Sequence, residues 1–504
     1  MRVPRRCLSL LATVLLAGCG QEPAPEETPR ITAADRARGA EQHPLLLAEF
    51  GGAYQAEEAR YVAAVGERVA VAAGLGGQCK FTLVNSDVVN AFAVPGCYIY
   101  MTRGLLATVT SEAELASVLG HELGHIVAAH AQRQERRSLW RTLGVIAVGL
   151  TGSEGLTRLA GKAAEFFTLR YSRKQEYEAD DLGLRFLEDA GYDPYASAEM
   201  LDALGRQQAF MVATSGRDEA RSIPEWTLSH PLTENRVQRA RAAASATGLA
   251  NDELPEEAEP YLREVDGLLY GDDPAQGFVS GQRFAHPVMR IAFVAPPGFA
   301  LTNSPRAIRL SGPNGIRGEF GGGPMADADI AGHAVAIARK IAGDTPVEIA
   351  RPQRRSVNGI DAAVIEIGIA TQQGTVPVAI AAYDGGGGQA YHFIIVSPPA
   401  DASARAIAAL FGSFRRLSAE EAAQLRPRVI RTITAAPGDT LDRVVGRMAD
   451  PNPGALFAML NGRPAGRPLR PGEHLKIVVF DPPQAAAISP RLSTARTPEG
   501  SRQP

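Results

Sequence analysis

The feature that most constrains this chain is a five-residue run, His121-Glu122-Leu123-Gly124-His125. Ser111 and Glu114 upstream have the spacing of a capping box, and the pattern that follows predicts a helix running to about Arg136. Positions i and i+4 of a helix share a face, so the imidazoles of His121 and His125 project together. Two neutral imidazoles at that spacing suit Zn²⁺, which in catalytic sites takes three protein ligands and keeps one position open for water. Glu122 projects beside them and can take a proton from that water, whose pKa zinc lowers to about 7. The plainer alternative is a solvated helix carrying two incidental histidines, and the capped helical context argues against it.

The third ligand discriminates between classes. A Gly three residues after the second His, and a His three further on, would mark a metzincin. Here both positions are Ala (Ala128 and Ala131), and His130 falls one residue early, so it reads as a packing or helix-end histidine. A gluzincin takes a Glu from a second helix, and Glu176-Tyr177-Glu178-Ala179-Asp180 supplies one. Glu176 and Asp180 at i, i+4 share a face, whereas Glu178 is turned about 200° from both. Glu176 is the expected metal ligand, Asp180 the carboxylate that orients a ligand imidazole, and Glu178 is expected to face solvent or an Arg.

Composition narrows the rest. Lys and Arg number 52 against 55 Asp and Glu, with no basic block, which argues against nucleic-acid binding. Gly 51 and Pro 35 predict generous loops or tails, and no apolar run reaches the roughly 18 residues of a spanning helix. At the N-terminus Arg2, Arg5 and Arg6 precede a short apolar run, as in a secretory signal peptide (1–18). Leu16-Ala17-Gly18-Cys19 resembles the lipobox of bacterial lipoproteins, with Cys19 as the lipidated residue. Neither Gly20 nor Gln21 is the Asp that often retains such proteins at an inner membrane, so an outer-membrane anchor facing the periplasm is expected. Residues 19–44, Pro/Glu-rich at their start, read as a flexible tether.

Periodicity predicts an α+β multidomain chain. A mainly helical first domain with a small sheet covers 45–249, with a helical pattern at 45–75, strands at 80–84 and 97–101, and a buried or interfacial stretch near 143–150. Further helices are expected from Ser172 to Gly191, from Asp193-Pro194, and from Thr233 to Gly248. The acidic, Pro-bearing stretch opening 250–281 reads as a linker. An α+β domain at 282–417 carries strands at 289–295, 306–311, 360–370, 376–384 and 391–397 and helices at 328–342 and 402–414. A small α/β unit follows at 428–480, then a disordered tail at 481–504.

Several motifs occur in a recognisable order: Asn90-Ala91-Phe92-Ala93-Val94-Pro95-Gly96, Arg103-Gly104-Leu105-Leu106, the HExxH run, Ser172-Arg173 with Glu176 to Asp180, Gly191-Tyr192-Asp193-Pro194, and His230-Pro231 with Arg236. Over about residues 45–245 the chain resembles the zinc metallopeptidase family of BepA, HtpX and the CAAX prenyl protease, in its soluble periplasmic branch. The resemblance implies one Zn²⁺ per chain in a gluzincin fold, with Asn90, Ala91, Phe92 and Ala93 forming a strand that pairs with extended substrate. It implies that His230 lies near the metal, as an extra ligand or as a hydrogen-bond donor to the transition state; a helix-entry residue is the alternative. Arg236 reads as tying local carboxylates together. Cys97 stands where the family often has Gly, and the oxidising periplasm leads us to expect a Cys79–Cys97 bridge. No helical-repeat domain follows. The unit at 428–480 resembles a degenerate LysM module, through Gly438-Asp439-Thr440-Leu441, Leu460-Asn461-Gly462, Pro471-Gly472 and Leu475-Lys476-Ile477. The LysM resemblance implies either peptidoglycan binding or a small structural domain that keeps the turns without the sugar.

The function these readings lead to is a zinc-dependent endopeptidase of the bacterial periplasm, lipid-anchored to the outer membrane. It is expected to hydrolyse unfolded or misassembled envelope proteins with Glu122 as general base and His230 as a catalytic partner. A peptidoglycan-associated scaffold or chaperone with a latent peptidase domain is the alternative, disfavoured because a scaffold needs no general base.

Overall fold

A computed structural model describes residues 31–133, 171–214 and 225–482, short of residues 233, 344, 372–373, 399–400 and 465. The expected signal peptide, Cys19, the stretch at 143–150 and nearly all of the tail lie outside the described residues.

The chain enters through helix α1 (Ala33–Glu49), where a flexible tether was expected as far as residue 44. Thr32 and Asp35 form a capping box that starts it, and Asp35, Gly39 and Leu46 are buried. At Gly39 the helix backbone lies against the sheet so closely that a Cβ would sit 2.3 Å from the Pro95 carbonyl oxygen. The helical pattern expected over 45–75 is broken after Glu49, because Gly51 and Gly52 turn with positive φ; helix α2 then runs Glu57–Ala72.

A three-stranded sheet follows, β1 (Lys80–Val84), β2 (Ala91–Val94) and β3 (Tyr98–Thr102), ordered β1-β3-β2, so β2 is an edge. One face carries Val84, Phe92 and Tyr100 against Leu46 and Phe50. The other face packs Leu83, Ala91, Ile99 and Met101 into the main core. Cys79 and Cys97 are joined by a disulfide across the start of this sheet. Cys97 has φ 63°, a left-handed conformation that glycine adopts most readily.

Helices α3 (Arg103–Thr108) and α4 (Glu112–Val127) lead into the HExxH segment. Ser111 caps α4 as expected, but the helix ends at Val127 instead of near Arg136, where Ala129 turns with φ 50°. Helices α5 (Arg173–Asp189), α6 (Ala196–Thr214), α7 (Glu225–Ser229) and α8 (Glu234–Ala246) complete the region. Helix α6 starts two residues beyond Pro194, because Asp193 Oδ1 accepts from the Tyr195 N–H and holds a turn there.

The stretch expected as a linker is built into the core. Helix α9 (Ala258–Glu264) buries Tyr261 and Leu262, with Val265 and Leu268 after it. The Tyr261 hydroxyl donates to the Leu106 carbonyl. Strand β4 (Leu269–Tyr270) then pairs with β16 (Arg428–Thr434), which pairs with β17 (His474–Phe480). Arg103, 1 % exposed, fixes this crossing by donating to the carbonyls of Leu269 (2.7 Å) and Gly271 (3.0 Å).

Residues 278–416 hold a four-stranded antiparallel sheet of β5 (Phe278–Ser280), β6 (Arg283–His286), β7 (Ile291–Val294) and β15 (Arg415–Arg416) and a seven-stranded one, ordered β11 (Gln353–Val357), β12 (Ile360–Thr371), β13 (Gly374–Gly386), β14 (Gln389–Val396), β10 (Arg317–Pro324), β9 (Ile308–Ser311) and β8 (Ala300–Thr302). Ile330–Ala342 packs on one face of the larger sheet and Asp401–Gly412 on the other, each with its own core. The Gly-rich strand β10 (Arg317–Pro324) showed no apolar alternation in the sequence, yet β14 and β9 pair with it on both sides.

The unit at 428–480 shares the main core. Leu456, Phe457, Ile477 and Val478 belong to the same apolar cluster as Leu115 and Leu119 of α4. Lys476, 1 % exposed, donates from Nζ to the carbonyls of Ala107 (2.7 Å) and Val109 (2.6 Å), which close α3 ahead of α4. Burial pulls this ammonium down to about 7. Replacing Lys476 by Ala strands two buried carbonyls, and we expect a loss of roughly 2–4 kcal/mol in denaturant unfolding. Because the folded pKa lies below the unfolded one, the unfolded state holds more protons between pH 7 and 10.5, and stability rises with pH across that window. The Lys476→Met variant should lose this part of the pH slope.

Candidate metal centre

The site is built where α4 and α5 cross. A Cβ on Gly124 would lie 2.8 Å from the Ala179 carbonyl oxygen, and one on Gly183 would lie 2.9 Å from the His121 nitrogen. Gly120 faces Gly183 in the same contact. With nothing but backbone at these points the helices approach closely enough for Glu176 to reach both histidines. Small residues spaced four apart on each helix (120 and 124, 179 and 183) are the sequence signal of this close crossing.

Four buried side chains converge: His121, His125, Glu176 and His230, with donor atoms within 4.8 Å of one another. His125 Nε2 lies 3.1 Å from His121 Nε2, and His121 Nε2 lies 3.3 Å from His230 Nδ1. Glu176 Oε1 is 3.1 Å from His230 Nδ1 and 3.6 Å from His125 Nε2. Zinc bonded to N and O at about 2.0–2.1 Å in a tetrahedron separates its ligand atoms by roughly 3.3–3.4 Å. The atoms of His121, His125 and Glu176, 3.1 to 3.6 Å apart, fit three positions around one zinc ion, and His230 stands beside them.

The second nitrogen of each α4 histidine is tied down. His121 Nδ1 lies 3.0 Å from Asp180 Oδ1, and Arg236 donates to Asp180 Oδ2 (2.9 Å) and Oδ1 (2.7 Å). His125 Nδ1 lies 2.7 Å from His130 Nδ1, and His130 Nε2 lies 3.3 Å from Glu178 Oε2, which also meets Arg133 through Oε1. Both histidines therefore turn Nε2 toward the centre. Glu178 faces away from the metal ligands, and His130 orients His125 from behind. Arg236 also meets Glu176 Oε2 at 2.8 Å, so it ties the two carboxylates of α5 together.

The electrostatics favour ligand-ready forms. Burial, with the neighbouring imidazoles, holds His125 well below the usual histidine range, so its ring is neutral. Burial works against ionisation of Glu176 and Asp180, but His230, His121 and Arg236 outweigh it and hold both carboxyls below their usual range. Glu176 and Glu122 raise His230 against its burial.

Glu122 sits one residue from His121, with Oε1 3.7 Å from His230 Nε2. It lines a pocket with Asn90, Phe92, Tyr171 and His230, which places strand β2 across the cleft from Glu122. The Thr102 N–H donates to the Asn90 carbonyl, so Phe92 and Val94 point their backbone groups at β3 and Ala91 and Ala93 point theirs at the open edge. Tyr171 was not anticipated. Its ring stacks on His125 at 3.9 Å and 22°, and its N–H bonds the Ser229 carbonyl beside His230. Only its place next to the Ser172 cap could have marked it.

Residues 56–244 match the model of peptidase family M48. The chain is 38 % identical over 197 residues to the mitochondrial metalloendopeptidase OMA1 of Arabidopsis thaliana, covering 39 % of this chain and 36 % of that protein. It is 31 % identical over 201 residues to the beta-barrel assembly-enhancing protease of Yersinia pestis, covering 37 % and 39 %. To the protein of the same name in Escherichia coli K12 it is 32 % identical over 175 residues, covering 33 % and 34 %. The chain thus spans little more than a third of the length of these curated relatives.

Three substitutions on one helix test the assignment. Glu176→Ala should strip the metal, and Asp180→Ala should weaken zinc affinity roughly 10–100-fold by freeing His121. Glu178→Ala should have the smallest effect of the three. Zinc titration with a competing chromogenic chelator reads all of them. Loss of metal from Glu178→Ala alone would mean that the helix faces are wrongly assigned.

Proposed function

We propose that this chain, which carries an M48 metallopeptidase domain over residues 56–244, is a zinc-dependent endopeptidase of the bacterial periplasm. The observation that carries the reading is the three-ligand set His121, His125 and Glu176 with Glu122 beside it, at spacings that fit zinc. When bound there, zinc supplies Lewis-acid polarisation of the scissile carbonyl and lowers the pKa of water to about 7.

The chain's own residues do the rest. The open edge of β2 pairs with an extended substrate through the backbone groups of Ala91 and Ala93, which fixes the peptide beside Glu122 without reading its side chains. Glu122 takes the proton of the attacking water and returns it to the leaving amine. His230, whose Nε2 faces Glu122, donates to the carbonyl oxygen as charge develops there. Asp180 and His130 hold the ligand rings in orientation throughout.

An edge strand can pair only with a segment that has no partner of its own, so the substrates are unfolded or misassembled envelope proteins. The printed names of the bacterial relatives, with their reference to β-barrel assembly, support that class. The lipobox-like segment supports a lipid anchor at Cys19, at the outer membrane. The strand-helix-helix-strand order of 428–480, with helices Leu441–Val445 and Pro453–Leu460, supports a LysM-like unit.

The Glu122→Gln protein should keep its zinc and its fold and lose ~10²–10⁴-fold in turnover of an unfolded protein substrate. Chelation by EDTA should abolish turnover in the wild type, and zinc should restore it. Turnover by Glu122→Gln near the wild-type rate would remove Glu122 from the mechanism. A zinc-loaded wild type that cuts no unfolded protein would overturn the peptidase reading itself.

A further inference from the structure

Helix α1 precedes the segment matched by the family model, and it lies along the metal cleft. At its far end, Leu46 and Phe50 line the pocket that holds Glu122 and His230. At its start, Ile31 and Asp35 line a second pocket, shared with Val94, Gly96, Tyr171 and the ligand His125.

This start is fixed in place. Ile31 packs on the main core, and the capping box of Thr32 and Asp35 closes the first turn. A Cβ on Gly96 would lie 2.7 Å from the Asp35 carbonyl oxygen, so the turn after β2 and the start of α1 meet backbone to backbone. Arg36 donates to the Gln78 carbonyl at 3.4 Å and to its Oε1 at 3.2 Å. The residues ahead of Ile31 therefore join the folded body at the mouth of the cleft.

Cys19, the residue of the lipid-anchor reading, stands twelve positions before Ile31. Twelve residues span at most ~43 Å, whatever path they take, which keeps the mouth of the cleft on the order of 50 Å or less from the anchor. A compact body of roughly 400–450 residues has a radius of gyration of about 22 Å, and so a diameter of almost 60 Å. The leash is shorter than the body it holds, and the body cannot carry its cleft round to the far side.

We propose that the anchor turns the mouth of the cleft toward the membrane and confines cleavage to polypeptide held close to that surface. The substrates are then unpaired segments of chains that are themselves embedded in, or anchored to, the same membrane. The proposal rests on the lipid-anchor reading and deepens the peptidase reading. Two partners confined to one surface meet at an effective concentration far above that of a chain free in the compartment. The edge of β2 reads backbone alone, so selection among unfolded chains comes from where they stand.

The test uses the zinc-loaded chain from Cys19 onward, in which the Cys79–Cys97 bridge leaves Cys19 as the sole thiol. A thiol-reactive phospholipid on Cys19 fixes it to vesicles of phosphatidylethanolamine and phosphatidylglycerol. An unfolded, quenched fluorescent peptide is carried on upright stalks, three-stranded coiled coils with a lipid on each chain, about 20, 45 or 90 Å above the bilayer. The peptide at 20 Å should be cut at least 20-fold faster than the one at 90 Å. Inserting forty Gly/Ser residues after Gln21 adds up to ~140 Å of reach and should reduce that ratio below 5-fold, with kcat/KM on free peptide unchanged. Glu122→Gln should retain the stalk-borne peptides in the same order of height, which reads the geometry without turnover. Equal cleavage at 20 and 90 Å, or a height dependence untouched by the insertion, overturns the proposal alone. A Cys19 found without diacylglycerol, by mass, in protein taken from the bacterial envelope strikes the anchor reading and the proposal with it. Free peptide left uncut while the order of retention holds would instead strike the peptidase reading.

Discussion

Helices α4 and α5 meet backbone to backbone at Gly120, Gly124, Ala179 and Gly183, and the ligand geometry depends on that contact. A methyl group at Gly124 or Gly183 would come within 3 Å of the opposite main chain, so the helices would have to separate. The Glu176 oxygens, now 3.6 Å from His121 Nε2 and from His125 Nε2, would move away with them. Glycine inside a helix costs about 1 kcal/mol relative to alanine. The close approach is worth that cost because it lets a short Glu side chain from one helix reach two histidines on the other.

Behind the ligands, the charges are arranged so that the site is incomplete without a cation. Glu176 and Asp180 share one guanidinium, Arg236, and Glu122 lies beside His230. Three carboxylates thus converge on one guanidinium and one imidazole whose charged form Glu176 and Glu122 favour, which leaves the cluster short of positive charge. Arg236 holds the two carboxylates of α5 in register, and the chain from His125 through His130 to Glu178 ends in a partly exposed Arg133. One ligand is thus anchored to a buried pair and the other to the surface.

What could be read from the sequence was what helical periodicity alone determines. The i, i+4 spacing puts His121 with His125 and Glu176 with Asp180, and the 200° rotation turns Glu178 elsewhere. Ser111 and Ser172 announced the two helices through local capping chemistry. The reading failed where structure is set by distant packing. Residues 33–44 have the composition of a tether until the buried face of α1 is laid on Tyr98 and Tyr100. The acidic stretch after residue 250 looks like a linker until Tyr261 is seen bonded to Leu106, 155 residues away. Tyr171 carries no spacing signal of its own, because its partners His125 and Ser229 come from separate helices.

The bond from Lys476 to Ala107 joins residues 369 positions apart in the chain. A polypeptide that emerges N-terminus first presents its histidines long before the strand that closes the core beneath them. Until about residue 480 is free, the segment ahead of α4 lacks the ammonium that ties its carbonyls and the apolar partners Ile477 and Val478. The core beneath His121 and His125 is therefore complete only when the strand at 474–480 has taken its place against the residues that lead into α4.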